Sequence, residues 1–251
     1  MLSEKPINPI SGNISFGITA DDSIKAVIGF LRINLLKFAS DNKNHRILPE
    51  ESTNQLLCGF LNKEAKKEPF RFQPEFIEEI SSGRSPKVDF GTLSDEEKIV
   101  ISDREYGEDD SFFSFEAKRL PTPGSGRERE YVTGIAPKVS GGIERFKKGV
   151  HGAKIKYAAI VGYVQKETFN HWFLKINGWI DELAVIDSTG LWKTTDKLAC
   201  DDINVPVFIE LFSAHNRIAT GATLTNIELY HFWIDLIEPV AEISESDMIL
   251  H

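Results

Sequence analysis

The sequence predicts an α/β (α+β) fold: a central mixed sheet flanked by helices, with an N-terminal helical segment. Three observations predict it. Helical spacing of apolar residues dominates the first third of the chain. Strand alternation takes over near Lys87. A continuous apolar run, Tyr157 to Val164, then stands between two helical stretches, as a strand buried on both faces would. With 251 residues, 41% apolar and 27% charged, the chain can bury a sizeable core as a single globular unit. The expected division is a helical segment, 1–82, packing on a core, 83–251, that closes with a helix and a strand pair.

Each element has a local reason. Asp21 or Asp22 can cap a helix reaching about Ala39, with Ile24, Val27, Ile28, Leu31, Leu35 and Phe38 on one face. Pro49, followed by Glu50 and Glu51, suits the first turn of a second helix ending near Lys67. Pro74 to Ile80 reads as a short third helix stopped by Ser81-Ser82-Gly83. Three strands follow: Lys87–Phe90, Lys98–Ser102 and the Phe-rich Ser111–Leu120, with Glu105–Asp110 as a turn. Pro121–Gly126 is a Pro/Gly loop. A helix from Ser140 to about Gly149, the Tyr157–Val164 strand and a helix over Thr168–Leu183 come next. Val205–Phe212 and Leu224–Leu236 read as the last two strands.

Composition excludes several classes. No apolar run approaches the roughly 20 residues of a membrane span. No basic start leads into an apolar stretch, so a cytoplasmic protein without a membrane partner is expected. Cys58 and Cys200 are the only cysteines, too few for a disulfide scaffold or a four-cysteine zinc site. The formal net charge is −9, yet Lys118–Lys156 holds ten basic residues against three acidic ones. Such a block either concentrates positive potential for nucleic acid or is a solvated face. Arg119, Arg127, Arg145 and Lys148 are its candidate nucleic-acid contacts.

One constellation carries chemistry. The chain has four acid-x-Lys triplets, and only Glu116-x-Lys118 lies inside a strand with an apolar opposite face. Alternation puts Phe113, Phe115 and Ala117 on one side and Ser114, Glu116 and Lys118 on the other. Asp89, on a neighbouring strand, can meet Glu116 across one gap. Two carboxylates with a carbonyl and waters suit a hard divalent cation, Mg²⁺ or Mn²⁺. Lys118 can hold or deprotonate an attacking water, or offset phosphate charge. Arg119 points away in an ideal strand. The plainer alternative for these acids is a surface ion-pair patch.

These residues, Ser-Pro-Lys-Val-Asp89 and Phe-Phe-Ser-Phe-Glu116-Ala-Lys118-Arg-Leu, resemble the PD-(D/E)XK restriction-endonuclease-like nucleases, as found in prokaryotes and phages. The order helix, three strands, helix, strand is similar to that superfamily's core. So are Gly141-Gly-Ile-Glu-Arg-Phe146, Gly149-Val-His-Gly152, Ile160–Gln165 and the tail Phe212-Ser-Ala-His215-Asn-Arg217 with His231. Pro86 stands three residues before Asp89, displaced from the usual motif position. The resemblance implies a Mg²⁺-dependent endonuclease-like hydrolase acting on nucleic acid, foremost DNA. It implies Asp89 and Glu116 as metal ligands and Lys118 as catalytic lysine. A further catalytic Glu from the first core helix would be Glu51, with Glu50 and Glu79 as rivals, and Gln165 would stand near the metal. Double-strand cleavage would favour a homodimer, and phage defence is the setting implied. The alternative is a non-catalytic nucleic-acid-binding or assembly subunit of the same fold. Ser213, His215 and Arg217 share strand parity and serve either a structural network or catalysis, while Trp172 and Trp179 read as core.

Overall fold

The computed structural model describes residues 20–78, 87–101, 104–135, 138–218 and 224–238. Its helices are α1 (Ala20–Ala39), α2 (Glu50–Glu64), α3 (Gly142–Lys147) and α4 (Phe169–Ile186). Its strands are β1 (Phe70–Ile77), β2 (Lys87–Ser94), β3 (Lys98–Ile101), β4 (Arg104–Gly107), β5 (Phe113–Leu120), β6 (Tyr157–Val164), β7 (Phe208–Asn216) and β8 (Asn226–Asp235). Six strands form one mixed sheet in the order β1-β2-β5-β6-β8-β7, and β3 pairs with β4 as a separate ribbon. The α/β class expected from the sequence is therefore what the chain adopts.

The sheet is antiparallel at both edges and parallel in the middle, where β6 runs alongside β5 and β8. Parallel strands need covering on both faces, and both are covered. On one face Phe90 and Phe115 stack, Phe72 meets Phe115 edge-on, and Phe30 of α1 closes on Phe70 and Phe72. There α2 is tied down by the Tyr163 hydroxyl, which donates to Asn54 Oδ1 at 2.7 Å. On the other face Trp233 meets Phe169 of α4 and donates to the Tyr131 hydroxyl at 2.8 Å. Trp172 and Trp179 of α4 are buried, as their spacing predicts. Helix α4 starts where expected, with the Thr168 side chain accepting from the His171 N–H.

Three sequence expectations need correction. Residues 74–77, expected to begin a helix, belong to strand β1, whose Phe70, Phe72 and Phe76 are buried. Pro74 is tolerated because β1 is an edge strand, so its missing N–H leaves no ladder bond unmade. The rest of that stretch beyond Glu78 lies outside the described residues. Lys98–Ile101 forms a strand but not one of the main sheet, so the first three sheet strands are β1, β2 and β5. Arg104–Gly107 is a strand rather than a turn, and the turn follows it.

Candidate active site

The candidate acids meet where the sheet splits. The β2–β5 ladder spans Thr92↔Phe113 to Phe90↔Phe115 and stops. The β5–β6 ladder continues to Leu120↔Val164. In the gap the Asp89 side chain replaces a ladder bond: its Oδ2 accepts from the Ala117 N–H at 2.8 Å. Glu116 lies across from it, and the Lys118 ammonium closes the group. Lys118 Nζ stands 3.1 Å from Glu116 Oε2, 3.3 Å from Glu50 Oε1 and 3.9 Å from Asp89 Oδ2, and donates to the Ala117 carbonyl at 2.8 Å.

This is no surface ion-pair patch. The Glu116 side chain is 1% exposed and that of Lys118 8%, because β5 is central and both its faces are covered. Asp89 and Glu50 are each 26% exposed and form the solvent-facing side. Glu50 holds its place by also accepting from the Arg119 N–H at 3.2 Å. Its neighbour Glu51 is exposed and faces elsewhere, since successive helix residues point about 100° apart. The helix glutamate at the site is thus Glu50, not Glu51, while Glu79 lies outside the described residues.

Two residues that sequence reasoning did not place here complete the environment. Arg145 of α3 donates from Nη1 to Glu116 Oε2 at 3.3 Å. His151, wholly buried, has Nε2 3.2 Å from Glu116 Oε1. The glycines around His151 were the signal available in the sequence. Helix α3 fits over β5 because its start is Gly141-Gly142: a Cβ on Gly141 would lie 2.3 Å from the Thr133 backbone. Gly142 in turn sits on the Lys118 stem.

These contacts set the charges. Burial, and then the charge of Glu116, push the Asp89 carboxyl up to about 7. Burial also pushes the Glu116 carboxyl up, but Lys118, His151 and Arg145 outweigh it and hold Glu116 below the usual range. Burial pulls the Lys118 amine down, and Glu116, Glu50 and Asp89 more than reverse this, so it stays an ammonium. It cannot serve as the base in this arrangement.

The other predicted residues lie as follows. Gln165 is buried; its Oε1 accepts from Arg119 Nε at 2.7 Å and its N–H donates to the Leu120 carbonyl, while its Nε2 has no hydrogen-bond partner. Arg127 makes two bonds to Glu130, at 2.8 and 2.6 Å. Lys148 pairs with Glu144 at 2.7 Å. Within the basic block, Lys147 is buried against Asp196 at 2.7 Å. Much of the block's formal charge is therefore matched internally.

A divalent cation is the group that the sequence resemblance implies for these residues. Three carboxylates gather at one gap, and Glu116 Oε1 is buried with no hydrogen-bond partner. Among the described residues, however, no three His, Cys, Asp or Glu side chains stand at metal-holding spacing. The Lys118 ammonium lies between the acids instead.

A second polar cluster spans the buried face of β7 and β8. Ser213 Oγ lies 2.7 Å from both His215 Nε2 and His231 Nε2, and His215 Nδ1 lies 3.2 Å from Asp196 Oδ1. The connectivity is that of a Ser-His-Asp triad, but each member is only 2% exposed or less, so no substrate reaches it. It is a structural network. Arg217 likewise acts structurally, donating to the carbonyls of Phe146, Gly152 and Ile155.

No family model matches the chain, and comparison with curated proteins and with solved structures finds no significant match. Among the described residues no helix is long and apolar enough to cross a membrane.

Proposed function

We propose that this chain is a metal-dependent nuclease of the PD-(D/E)XK type that hydrolyses phosphodiester bonds in nucleic acid, foremost DNA. The observation that carries the reading is the convergence of Glu50, Asp89 and Glu116 on Lys118 where β2 and β5 part. Three acids and a lysine in a largely buried gap are costly to stability unless they do work.

Asp89 and Glu116, with Glu50, would hold Mg²⁺ or Mn²⁺. When bound, such an ion lowers the pKa of a coordinated water and polarises a phosphoryl oxygen. The chain's own groups supply the rest. Lys118, kept as an ammonium, offsets charge that develops on the phosphate. Asp89, pushed up to about 7 by burial and by Glu116, would lose its proton as the cation binds. Arg145 holds the Glu116 carboxylate at Oε2, the oxygen that Lys118 also contacts.

A second reading, a nucleic-acid-binding or assembly subunit without turnover, draws on one observation: Lys118 already fills the space between the acids. A cleavage assay separates the two. Purified protein should cut DNA in Mg²⁺ or Mn²⁺ and not in EDTA. Asp89→Asn, which keeps an acceptor for the Ala117 N–H, should abolish cleavage in a folded protein. Undiminished cleavage by that variant would remove the hydrolytic reading. DNA binding without cleavage by the wild type would favour the second.

A further inference from the structure

The basic block holds four candidate cations for nucleic acid, and the structure separates them. Arg127 has two guanidinium nitrogens engaged by Glu130. Arg145 is divided among the Val139 carbonyl, Glu116 and His151. Lys148 is paired with Glu144. Arg119 differs. Its half-buried guanidinium bonds through Nε, to Gln165 Oε1 at 2.7 Å, and among the described residues neither of its two Nη groups has an acceptor.

The main chain fixes where this pair stands. The β5–β6 register sets Arg119 beside Tyr163 and Leu120 beside Val164, and the Gln165 N–H carries the ladder one step further by donating to the Leu120 carbonyl at 2.8 Å. Residues level with each other on neighbouring strands share a face. Tyr163 donates to Asn54 of α2, so Arg119 is on the side that α2 covers. The Arg119 N–H donates to Glu50 Oε2 at 3.2 Å, which puts the residue at the border of the acid group. A phosphate approaching Glu50 and Asp89, the more exposed acids, meets negative charge, and an unengaged guanidinium beside them offsets it.

The Gln165 amide is set by the same contact. Arg119 Nε can only donate, so the amide oxygen faces it. Gln165 Nε2 is then buried without an acceptor, which is unfavourable. That orphaned donor accompanies an arrangement in which the guanidinium is pinned through Nε and both Nη groups remain as a fork, the shape that suits a phosphate.

We propose that Arg119 grips a backbone phosphate of the nucleic acid beside the acid group, and that Gln165 is the positioning residue that aims it. The assignment rests on the nucleic-acid reading above and names where the strand is held.

The test measures binding of a fluorescent DNA duplex in EDTA across a salt series, so that neither metal nor cleavage enters. Thermal melting and Mg²⁺-dependent cleavage kinetics are measured alongside. Arg119→Gln should weaken binding on the order of tenfold and flatten the slope of log K against log salt by about 0.9, the worth of one phosphate contact. Arg119→Lys should keep the slope but bind more weakly than the wild type, because an ammonium is a point charge without the fork. Gln165→Leu removes the acceptor and the orphaned donor together. It should melt no earlier than the wild type, yet bind DNA more weakly and raise KM with kcat little changed. Arg127→Gln, which removes a cation already engaged by Glu130, should flatten the slope by less. Equal flattening by the Arg119 and Arg127 variants would mean diffuse attraction and overturn the proposal, as would a wild type that binds no DNA at low salt. A Gln165→Leu protein that melts early makes Gln165 structural and removes its positioning role. If the wild type cleaves and Arg119→Gln keeps its affinity and KM, the grip is wrong and the hydrolytic reading stands. If the binding effects appear but the wild type never cleaves, the grip stands and the hydrolytic reading falls.

Discussion

The Lys118 ammonium lies 3.1 Å from Glu116 Oε2, although both side chains belong to one strand and are nearly closed to solvent. An ion pair formed between residues two apart on a central strand does little to define the fold, because both partners are already on the same face. Its desolvation is a standing cost. Function is the economical explanation, and it makes the following outcomes expected.

The helix glutamate is the first. Glu50 bonds Lys118 and the Arg119 N–H, while Glu51 is exposed. Glu50→Gln should lower kcat at least about tenfold, within the usual range for groups that orient a metal site. Glu51→Gln should leave cleavage unchanged. Steady-state cleavage of a fluorescent DNA by both variants checks this, and a reversed order would reassign the helix carboxylate.

Asp89 should lower stability in exchange for its role. Its folded-state carboxyl is raised from 3.8 to about 7, so the folded protein holds a proton there that the unfolded chain releases. Stability from this group is fully present below about pH 4 and is lost as pH rises through 7. Asp89→Asn cannot suffer that loss. Chemical denaturation should find the variant more stable at pH 8 by an amount on the order of 2–4 kcal/mol, with the gap shrinking toward pH 4. A variant less stable than wild type at pH 8 would contradict the charge assignment.

The buried histidines should act with the opposite sign. Trp233 can only donate and the Asp196 carboxylate can only accept, so the hydrogen bonds run one way: Trp233 to Tyr131, His231, Ser213, His215 and Asp196. Both rings are neutral in that chain. Burial holds both His215 and His231 below 6.5; at His215 the bond to Asp196 pulls upward, and the charges of Lys147 and Arg217 push down again. The unfolded chain takes up protons below pH 6.5 that the folded chain refuses, so stability falls as pH drops through that value. The slope should reach about 1.4 kcal/mol per pH unit for each ring. Equilibrium denaturation between pH 7.5 and 5 measures it, and His231→Phe should lessen the slope while lowering stability at pH 7.5. An unchanged slope would place the titration elsewhere.

How far the sequence could be read depends on the range of the forces involved. Local signals were reliable: Thr168 caps α4, the apolar run at Tyr157–Val164 is the central parallel strand, and Trp172 and Trp179 are core. Strand parity alone brought Glu116 and Lys118 to one side, and their meeting with Asp89 followed once β2 lay beside β5. What failed was context. Pro74 suggested a helix start, and only the edge position of β1 makes it acceptable in a strand. Choosing between Glu50 and Glu51 needs the helix's rotation about its axis. His151 and Arg145 reach the site through long-range packing of a loop, which residue spacing does not encode. The basic block reads as a surface because pairing of its cations with acids outside it, such as Asp196, Glu116 and Glu182, is invisible in a count of charges within it.

The central claim is that the gap between Asp89 and Glu116 holds a divalent cation, and anomalous diffraction from crystals soaked in Mn²⁺ measures this most directly. The account predicts a strong peak at bonding distance from carboxylate oxygens of both residues, with the Lys118 ammonium moved off the acids. A Lys118 that keeps its place among Glu50, Asp89 and Glu116, with no peak there at saturating Mn²⁺, would contradict it.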